Sequence, residues 1–231
     1  MEVAQPEDVN AFDLSAFDDV VVCAFGALIR EPLLSHPGLI NVHPSLLPRW
    51  RGAAPLERAI MAGDAQTGVC IMGVVEELDA GPVFARVVEP IDDDDTYGSL
   101  SSRLQPLASG LLASYLRDRP PGVQQGGEGM TYAEKIGSAD RALVVERSAQ
   151  ENARVVRALS PHIGAKAGEL GVWLARPVED AVPGGELEVR DGRLLWGCAG
   201  GALELDEVQP PGKRRMPAAD YARGLSKPPN R

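Results

Sequence analysis

Apolar and polar positions follow one another in blocks that predict alternating strands and helices near the start of the chain. A continuous apolar run at 18–25 predicts a strand buried on both faces, and a second run at 39–43 predicts its neighbour. Helices are predicted to begin at Pro32 and Pro55, because proline is favoured at the first helical position. This order predicts an α/β domain with a mostly parallel sheet, which binds ligands at the carboxyl ends of its strands.

Further along, two β-rich runs and a long amphipathic helix complete the first domain. The runs at 68–75 and 81–89 have the spacing of an antiparallel or loop-linked strand pair. Thr96 is a suitable N-cap after four aspartates at 92–95, whose charges favour a helix N-terminus. The apolar face predicted for this helix consists of Leu100, Leu104, Leu107, Leu111 and Tyr115.

A low-complexity stretch at 118–130 marks the best domain boundary. Beyond it, Ser148 and Glu151 have the spacing of a capping box. Short β-rich runs then follow one another, separated by Gly, Pro and Asp turns, at 171–175, 186–189, 193–197 and 203–208. This pattern predicts a small OB-like β-barrel. The expected organisation is an α/β domain at 1–117, a linker at 118–140 and the β-barrel domain at 141–231.

Composition adds three expectations. No apolar run approaches the roughly 20 residues needed to span a bilayer, and no charged-then-apolar leader opens the chain, which predicts a cytoplasmic protein. Cys23, Cys70 and Cys198 are widely spaced within apolar runs, which predicts buried free thiols. Residues 1–130 hold 8 basic against 19 acidic side chains, whereas 131–231 hold 15 against 14. The acidity of the first part disfavours nucleic acid there, while the second part is compatible with it.

The chemistry concentrates at the end of the predicted strand 39–43. Asn41 and His43 share a face of that strand, and Asp79 follows the next β-rich run. An amide donor, an imidazole and a carboxylate can stabilise an oxyanion and move a proton. No Ser or Cys stands in a nucleophile elbow, so direct acyl transfer is favoured over an acyl-enzyme. The plainer interpretation of Asn-x-His alone is a hydrogen-bonded structural pair.

Other polar clusters have simpler interpretations. His36 and His162 lie beside prolines and are expected at the surface. The aspartates at 92–95 lack the spacing of a calcium loop, so no metal site is predicted. The basic clusters could equally be solvated charge.

Three motifs in order, at 41–55, 63–72 and 78–83, resemble the folate-dependent formyltransferases. The segments 131–136 and 209–213 resemble the same family, so the similarity extends from about residue 18 to about residue 225. The residues at 49–55, together with the second domain, resemble the family members that act on charged initiator tRNA more than those that act on glycinamide ribonucleotide or nucleotide sugars.

The resemblance implies transfer of a formyl group from 10-formyltetrahydrofolate to the α-amine of methionine on initiator tRNA, by a monomer without metal. Asn41 and a protonated His43 would meet the oxyanion, and Asp79 would raise the basicity of His43. The folate would contact Phe25, Gly26, Ala27, Leu28, Ile29, Ser45, Leu46, Leu47 and Pro48. The tRNA would contact Arg49, Arg51, Lys213, Arg214 and Arg215.

Two departures from the family pattern leave alternatives open. Glu77 and Ala80 stand beside Asp79 where the family has Gly and Thr, which is expected to alter loop geometry or folate affinity. Family members also begin with two strand–helix units that are expected to be absent here, leaving an open sheet edge at 20–25. The alternatives are therefore an N-formyltransferase acting on an amino-sugar nucleotide, or a non-catalytic remnant that binds folate or RNA.

Overall fold

The computed structural model of the chain describes residues 6–225. Its helices are α1 (Pro55–Ala62), α2 (Tyr97–Asp118), α3 (Ala149–Leu159) and α4 (Ala218–Leu225), with short 3₁₀ turns at Val9–Ala11, Leu33–Ser35 and Ala139–Arg141. The first six strands are β1 (Val20–Cys23), β2 (Leu39–His43), β3 (Arg51–Gly52), β4 (Gln66–Gly73), β5 (Val83–Pro90) and β6 (Tyr132–Ala133). The other six are β7 (Ala165–Ala167), β8 (Leu170–Val178), β9 (Leu187–Arg190), β10 (Arg193–Cys198), β11 (Gly201–Gln209) and β12 (Met216–Pro217).

The chain divides into two compact units that alternate along the sequence. The first unit comprises Met1–Pro55, Gln66–Pro90 and Ser102–Lys135, and the second comprises Leu56–Ala65, Ile91–Ser101 and Ile136–Arg231. The sequence predicted continuous domains at 1–117 and 141–231, whose terminal residues 1–5 and 226–231 lie outside the described residues. Most of the predicted linker belongs to the first unit.

The first unit contains a four-stranded sheet in the order β1-β2-β4-β5. Strands β1 and β2 are parallel, whereas β2–β4 and β4–β5 are antiparallel. The α/β class is confirmed, but the expectation of a mostly parallel sheet is wrong for the described strands. A parallel connection needs a crossover helix that packs back on its own sheet. The helix between β2 and β4 is α1, which groups with the second unit instead.

Side chains from β2, β4 and the C-terminal half of α2 form the main core of this unit. Ile40, Ile71 and Tyr115 are its buried centre. Strand β1 departs from the prediction of burial on both faces, because its residues alternate between half-buried and exposed. Cys23 is therefore exposed, whereas Cys70 and Cys198 are buried as expected and all three thiols are free.

The second unit contains a six-stranded antiparallel sheet in the order β7-β8-β11-β10-β9, with β12 paired to β11. The sheet curls into a half-barrel, which confirms the predicted class. Its concave core includes Val156 and Leu159 from α3. Ser148 and Glu151 form the predicted capping box at the start of that helix. Runs of consecutive buried residues in β8, β10 and β11, together with the apolar face of α3 and two alanines of α4, thus account for this core.

Several element boundaries match the pattern, and one element differs in type. Strand β2 occupies the predicted residues 39–43, and β4 and β5 form the predicted antiparallel pair. The helix expected after Pro32 is only a 3₁₀ turn. Within residues 6–225, no helix combines the length and the apolar character that crossing a membrane requires.

Candidate active site

Two side chains at the C-terminal end of β2 point to the same side of the sheet. Asn41 and His43 are two residues apart on a strand, so they share a face. Asn41 is half-buried, whereas His43 is only 3% exposed. Hydrogen bonds to β1 on one side and β4 on the other hold the backbone of β2. The sheet thereby fixes the spacing of the amide and the imidazole.

Asp79 reaches the same point from the loop between β4 and β5. Its Oδ1 accepts a hydrogen bond from Asn41 Nδ2 at 3.3 Å, and its Oδ2 accepts one from the Gly52 N–H at 2.8 Å. The Oδ2 atom also lies 3.7 Å from His43 Nδ1. Asp79 has φ 48°, a left-handed conformation that a residue with a Cβ holds only where its surroundings compensate. The structure therefore brings together all three side chains that the sequence selected.

The hydrogen bond on the far side of the ring decides the tautomer of His43. Its Nε2 lies 2.9 Å from the main-chain oxygen of Trp50. A carbonyl oxygen only accepts, so Nε2 carries the proton. In the neutral ring, Nδ1 is then an unprotonated nitrogen that faces Asp79. A proton arriving at Nδ1 would be stabilised by the carboxylate.

Burial is the largest influence on the pKa of His43 and lowers it below the ordinary value of 6.5. The Asp79 carboxylate and the bond to Trp50 raise this pKa, but by less than burial lowers it. The imidazole is therefore neutral at pH 7. The sequence led us to expect a protonated His43, whereas burial in this structure favours the neutral ring, because the charged form is poorly solvated away from water.

The loop after β2, residues 44–50, is held by its own hydrogen bonds. We call it the catalytic loop because it follows the candidate catalytic residues Asn41 and His43. Ser45 Oγ donates to the Arg49 carbonyl at 2.7 Å. Leu47 packs against Cys70 and Met72 of β4. Ser45 and Leu47 are both buried, at 0% and 4% exposure. Both side chains therefore pack within the protein, and the expectation that Ser45 and Leu47 contact folate stays a prediction.

The end of this loop pairs with a segment far away in the sequence. Strand β3 pairs in parallel with β6, and the Trp50 N–H donates to Thr131 Oγ1 at 3.0 Å. The N–H groups of Ala53 and Ala54 both donate to the Ala133 carbonyl. Gly52 has φ 115°, and a Cβ there would lie 2.8 Å from the Ala133 oxygen. Only glycine fits this close approach, which places the Gly52 N–H against Asp79.

Arg51 has a different environment from the one the sequence predicted. Its side chain is 5% exposed, and its guanidinium donates to Glu77 at 2.9 Å and to Gln125 at 3.1 and 3.0 Å. Burial and these partners engage the guanidinium within the protein, and the expectation that Arg51 contacts nucleic acid stays a prediction. Glu77, which departs from the family pattern, is one of the two groups that hold it.

Gln125 is a residue of the site that the sequence analysis missed. Its Nε2 donates to the main-chain oxygens of Asp79 and Gly81, each at 2.8 Å. It lies in the low-complexity stretch that was interpreted as a linker, and its neighbours Gln124 and Gly126 are exposed. Gln125 stands between another glutamine and a glycine-rich run, and this local sequence has no helical or strand periodicity. The sequence near Gln125 therefore gave no sign of its role.

The residues expected to contact folate outside the catalytic loop form an exposed apolar surface. Phe25 is 45% exposed and Leu28 is 65% exposed. Gly26 and Ala27 between them are also exposed, and Ile29 is half-buried. Leu78, next to Asp79, is 58% exposed. Large apolar side chains at this exposure suit a planar heterocycle, so these positions stay compatible with the predicted role.

The basic residues Lys213, Arg214 and Arg215 are all exposed, and Arg215 also contacts other residues of the protein. The guanidinium of Arg215 lies 3.2 Å from the ring centre of Trp173 and donates to the Pro161 carbonyl at 2.8 Å. Lys213 and Arg214 are exposed. In the first unit, Arg49 stacks over the ring of Trp50 at 4.4 Å. The role of these cations in binding nucleic acid stays a prediction.

A cavity of about 340 Å³ lies beside the catalytic loop, next to Pro48, Phe84 and Gln125. Among the described residues that line it, none is Asn41, His43 or Asp79. Over the same part of the chain, no group of three or more His, Cys, Asp and Glu side chains is arranged to hold a metal ion.

Comparison with known proteins supports a single family. The family described as "Formyl transferase" matches residues 2–116, and "Formyl transferase, C-terminal domain" matches residues 135–226. The methionyl-tRNA formyltransferase of Paracoccus denitrificans is 42% identical over 228 residues, which is 96% of this chain and 76% of that protein.

Two solved structures share the fold. HypX from Aquifex aeolicus in complex with tetrahydrofolic acid has a TM-score of 0.65 and 22% identity. The match covers 88% of this chain but only 38% of HypX. An N-formyltransferase from Helicobacter canadensis, bound to folinic acid and dTDP-3-aminofucose, has a TM-score of 0.63 and 14% identity over 83% of this chain and 71% of its own. With two family domains matched in order and a relative 42% identical over 96% of its residues, this chain belongs to the formyl transferase family.

Proposed function

We propose that this protein transfers the formyl group of 10-formyltetrahydrofolate to the α-amine of methionine on initiator methionyl-tRNA, in the cytoplasm, for translation initiation. The observation that carries the proposal is the meeting of Asn41, His43 and Asp79 at the end of β2. The identity of 42% to a methionyl-tRNA formyltransferase supports the choice of acceptor.

In the proposed reaction, the amine forms a bond to the formyl carbon and negative charge develops on the formyl oxygen. Asn41 has two amide hydrogens, and only one is needed for its bond to Asp79. The second is suited to donate to the oxyanion. A preorganised donor of this kind typically contributes about 3 kcal/mol to transition-state stabilisation.

His43 serves as the proton acceptor. Its neutral ring presents an unprotonated Nδ1, and Asp79 lies 3.7 Å away to stabilise the imidazolium once the amine has lost its proton. The bond between the formyl carbon and the folate nitrogen then breaks, and the same proton passes to that nitrogen. This role uses the neutral ring as a base instead of a protonated ring as an oxyanion donor.

The substrates would occupy surfaces of different character. Phe25, Leu28 and Leu78 offer apolar contacts for the folate ring system, together with the partly exposed Leu46 and Pro48. Lys213 and Arg214 on the second unit, with Arg49 on the first, offer positive charge for tRNA phosphates. Ser45, Leu47 and Arg51 would act by supporting the loop.

The decisive experiment is a formylation assay with 10-formyltetrahydrofolate and charged initiator tRNA. We expect formylmethionyl-tRNA to form, and His43→Ala to abolish nearly all of it. A dTDP-linked amino sugar in place of the tRNA tests the sugar alternative, and we expect no product from it. Formylation of the sugar but not of the tRNA would overturn the proposed acceptor. Folate binding without either product would favour the non-catalytic alternative.

A further inference from the structure

We propose that Gln125 is a positioning residue for Asp79, so that part of the segment between the two family domains completes the active site. The inference concerns the site of the proposed function and rests on it for its kinetic consequences. Its structural basis is a group of three side chains, Arg51, Glu77 and Gln125, which we call the Gln125 cluster.

The side-chain amide of Gln125 donates hydrogen bonds to the main chain of the loop that carries Asp79. Both hydrogens of its Nε2 are used, one on the Asp79 carbonyl and one on the Gly81 carbonyl, each at 2.8 Å. These two acceptors lie on either side of Ala80, so the side chain spans the turn. Because it binds carbonyl oxygens, Gln125 constrains the backbone that carries the Asp79 carboxylate.

The oxygen of the same amide connects the loop to Arg51 of β3. Gln125 Oε1 accepts from Arg51 Nε at 3.1 Å and from Nη2 at 3.0 Å, while Arg51 Nη1 donates to Glu77 at 2.9 Å. Arg51 immediately precedes Gly52, whose N–H donates to the Asp79 carboxylate. The loop is therefore held at residues 77, 79 and 81 by hydrogen bonds from Arg51 and Gln125.

The backbone of Gln125 is itself held in place. Two residues earlier, Val123 exchanges main-chain hydrogen bonds with Val83 of β5, at 2.8 and 2.9 Å. Six residues later, Thr131 accepts from the Trp50 N–H. The segment is thus anchored to the sheet on one side and to the catalytic loop on the other.

Such a support suits Asp79, because it occupies a left-handed backbone conformation that residues with a Cβ adopt only uncommonly. At 3.7 Å between Asp79 and His43, a displacement of the order of 1 Å changes their interaction, and displacements of this size can cost about 100-fold in rate. Glutamine suits the task because it supplies two donors and an acceptor at once.

Three variants of the whole chain test the inference. Gln125→Ala removes every hydrogen bond of the side chain. Gln125→Glu keeps its length and its acceptor for Arg51 but has no hydrogens for the two carbonyls. Gln124→Ala is the matched control, because Gln124 is an exposed neighbour of the same residue type.

We expect Gln125→Ala and Gln125→Glu to lower kcat by about 10- to 100-fold with little change in KM for either substrate. Gln124→Ala should behave as wild type. Equal kcat for Gln125→Ala and Gln124→Ala would overturn the inference. Full activity of Gln125→Glu would also overturn it, because the effect would then come from Arg51 alone.

A second measurement does not depend on activity. Hydrogen exchange of the Gly52 amide reports directly on its bond to the Asp79 carboxylate, and the Val42 amide in β2 provides an internal reference. We expect at least a tenfold faster exchange at Gly52 in both Gln125 variants and no change at Val42. Unchanged protection of Gly52 would show that Asp79 keeps its place without Gln125. A wild-type chain that fails to formylate tRNA would refute the proposed function, while this exchange experiment would still decide the inference.

Discussion

The basic runs at 49–51 and 213–215 contain similar residues, yet the fold places them in different surroundings. In the first run, Arg51 is almost fully buried and binds Glu77 and Gln125. In the second, Arg215 remains largely exposed and stacks on Trp173. Each run therefore contains an arginine that contacts the protein itself, but only Arg51 of the first run binds residues beside Asp79.

The difference shows why a count of cations is a poor guide to nucleic-acid binding. A buried arginine has its charge compensated and its donors used, so it contributes to geometry. Exposed cations such as Lys213 and Arg214 keep their charge accessible to phosphates. We therefore expect substitution of the buried Arg51 to act mainly on kcat, and substitution of Lys213 and Arg214 to act mainly on binding.

The largest effect is expected at His43, whose ring is hydrogen-bonded to Trp50 of the first run. His43→Ala should lower kcat by about 100- to 1,000-fold, by analogy with the loss of a transition-state interaction. KM for folate should change little, because the interaction that is removed forms mainly in the transition state. Steady-state kinetics with both substrates measures the split. A kcat near that of wild type would remove His43 from the chemistry.

Arg51→Ala should have the next largest effect and tests whether the buried arginine belongs to the catalytic region. We expect a fall in kcat of about tenfold from a shifted loop. We also expect the free energy of unfolding to fall by about 2 kcal/mol, because the half-buried Gln125 oxygen loses both hydrogen bonds from Arg51. Urea denaturation and kinetics measure the two.

The matched control is Arg117→Ala, an exposed arginine whose side chain is 70% accessible. A surface change of this kind should alter stability by no more than about 0.5 kcal/mol. If Arg51→Ala weakened tRNA binding and left kcat intact, the contrast between the two regions would fail.

Replacing Lys213 and Arg214 together by alanine tests the second region. We expect weaker tRNA binding and unchanged kcat. The slope of log affinity against log salt should become shallower by about 1.5 to 2, because each cation that no longer neutralises a phosphate lowers the slope by about one. Binding measured at several KCl concentrations gives the slope. Arg190→Ala is the control, since Arg190 pairs with Asp180 and Glu188. Identical slopes for the double variant and wild type would exclude these two cations from tRNA binding.

The smallest expected effect concerns the pKa of His43, which burial lowers. Because the folded-state pKa of His43 lies below its unfolded value, the unfolded chain takes up the proton more readily. Stability should therefore decrease as the pH falls through and below about 6.5. Urea denaturation at pH 7.5, 6.5 and 5.5 should show a steeper decrease for wild type than for His43→Asn. Parallel curves would contradict the lowered pKa.

Much of the local structure could be predicted from the sequence, because its signals lie within a few residues of one another. Strand β2, the β4–β5 pair and the capping box of Ser148 and Glu151 were all predicted in place. The sequence predicted more parallel strand pairs in the first sheet than the structure contains, because only β1 and β2 pair in parallel there. Strand direction depends on where α1 packs, and α1 groups with the second unit.

The sequence alone determined which side chains could carry the chemistry. Asn41 and His43 share a face because the period of a strand is two residues, and the order of the motifs indicated Asp79. Only the tertiary structure decided the state of those groups. Burial of the ring, the carbonyl of Trp50 and the hydrogen bonds of Gln125 all come from residues distant in the chain or from the exclusion of water. Periodicity and spacing encode neighbours along one element, whereas protonation and positioning depend on which separate elements meet.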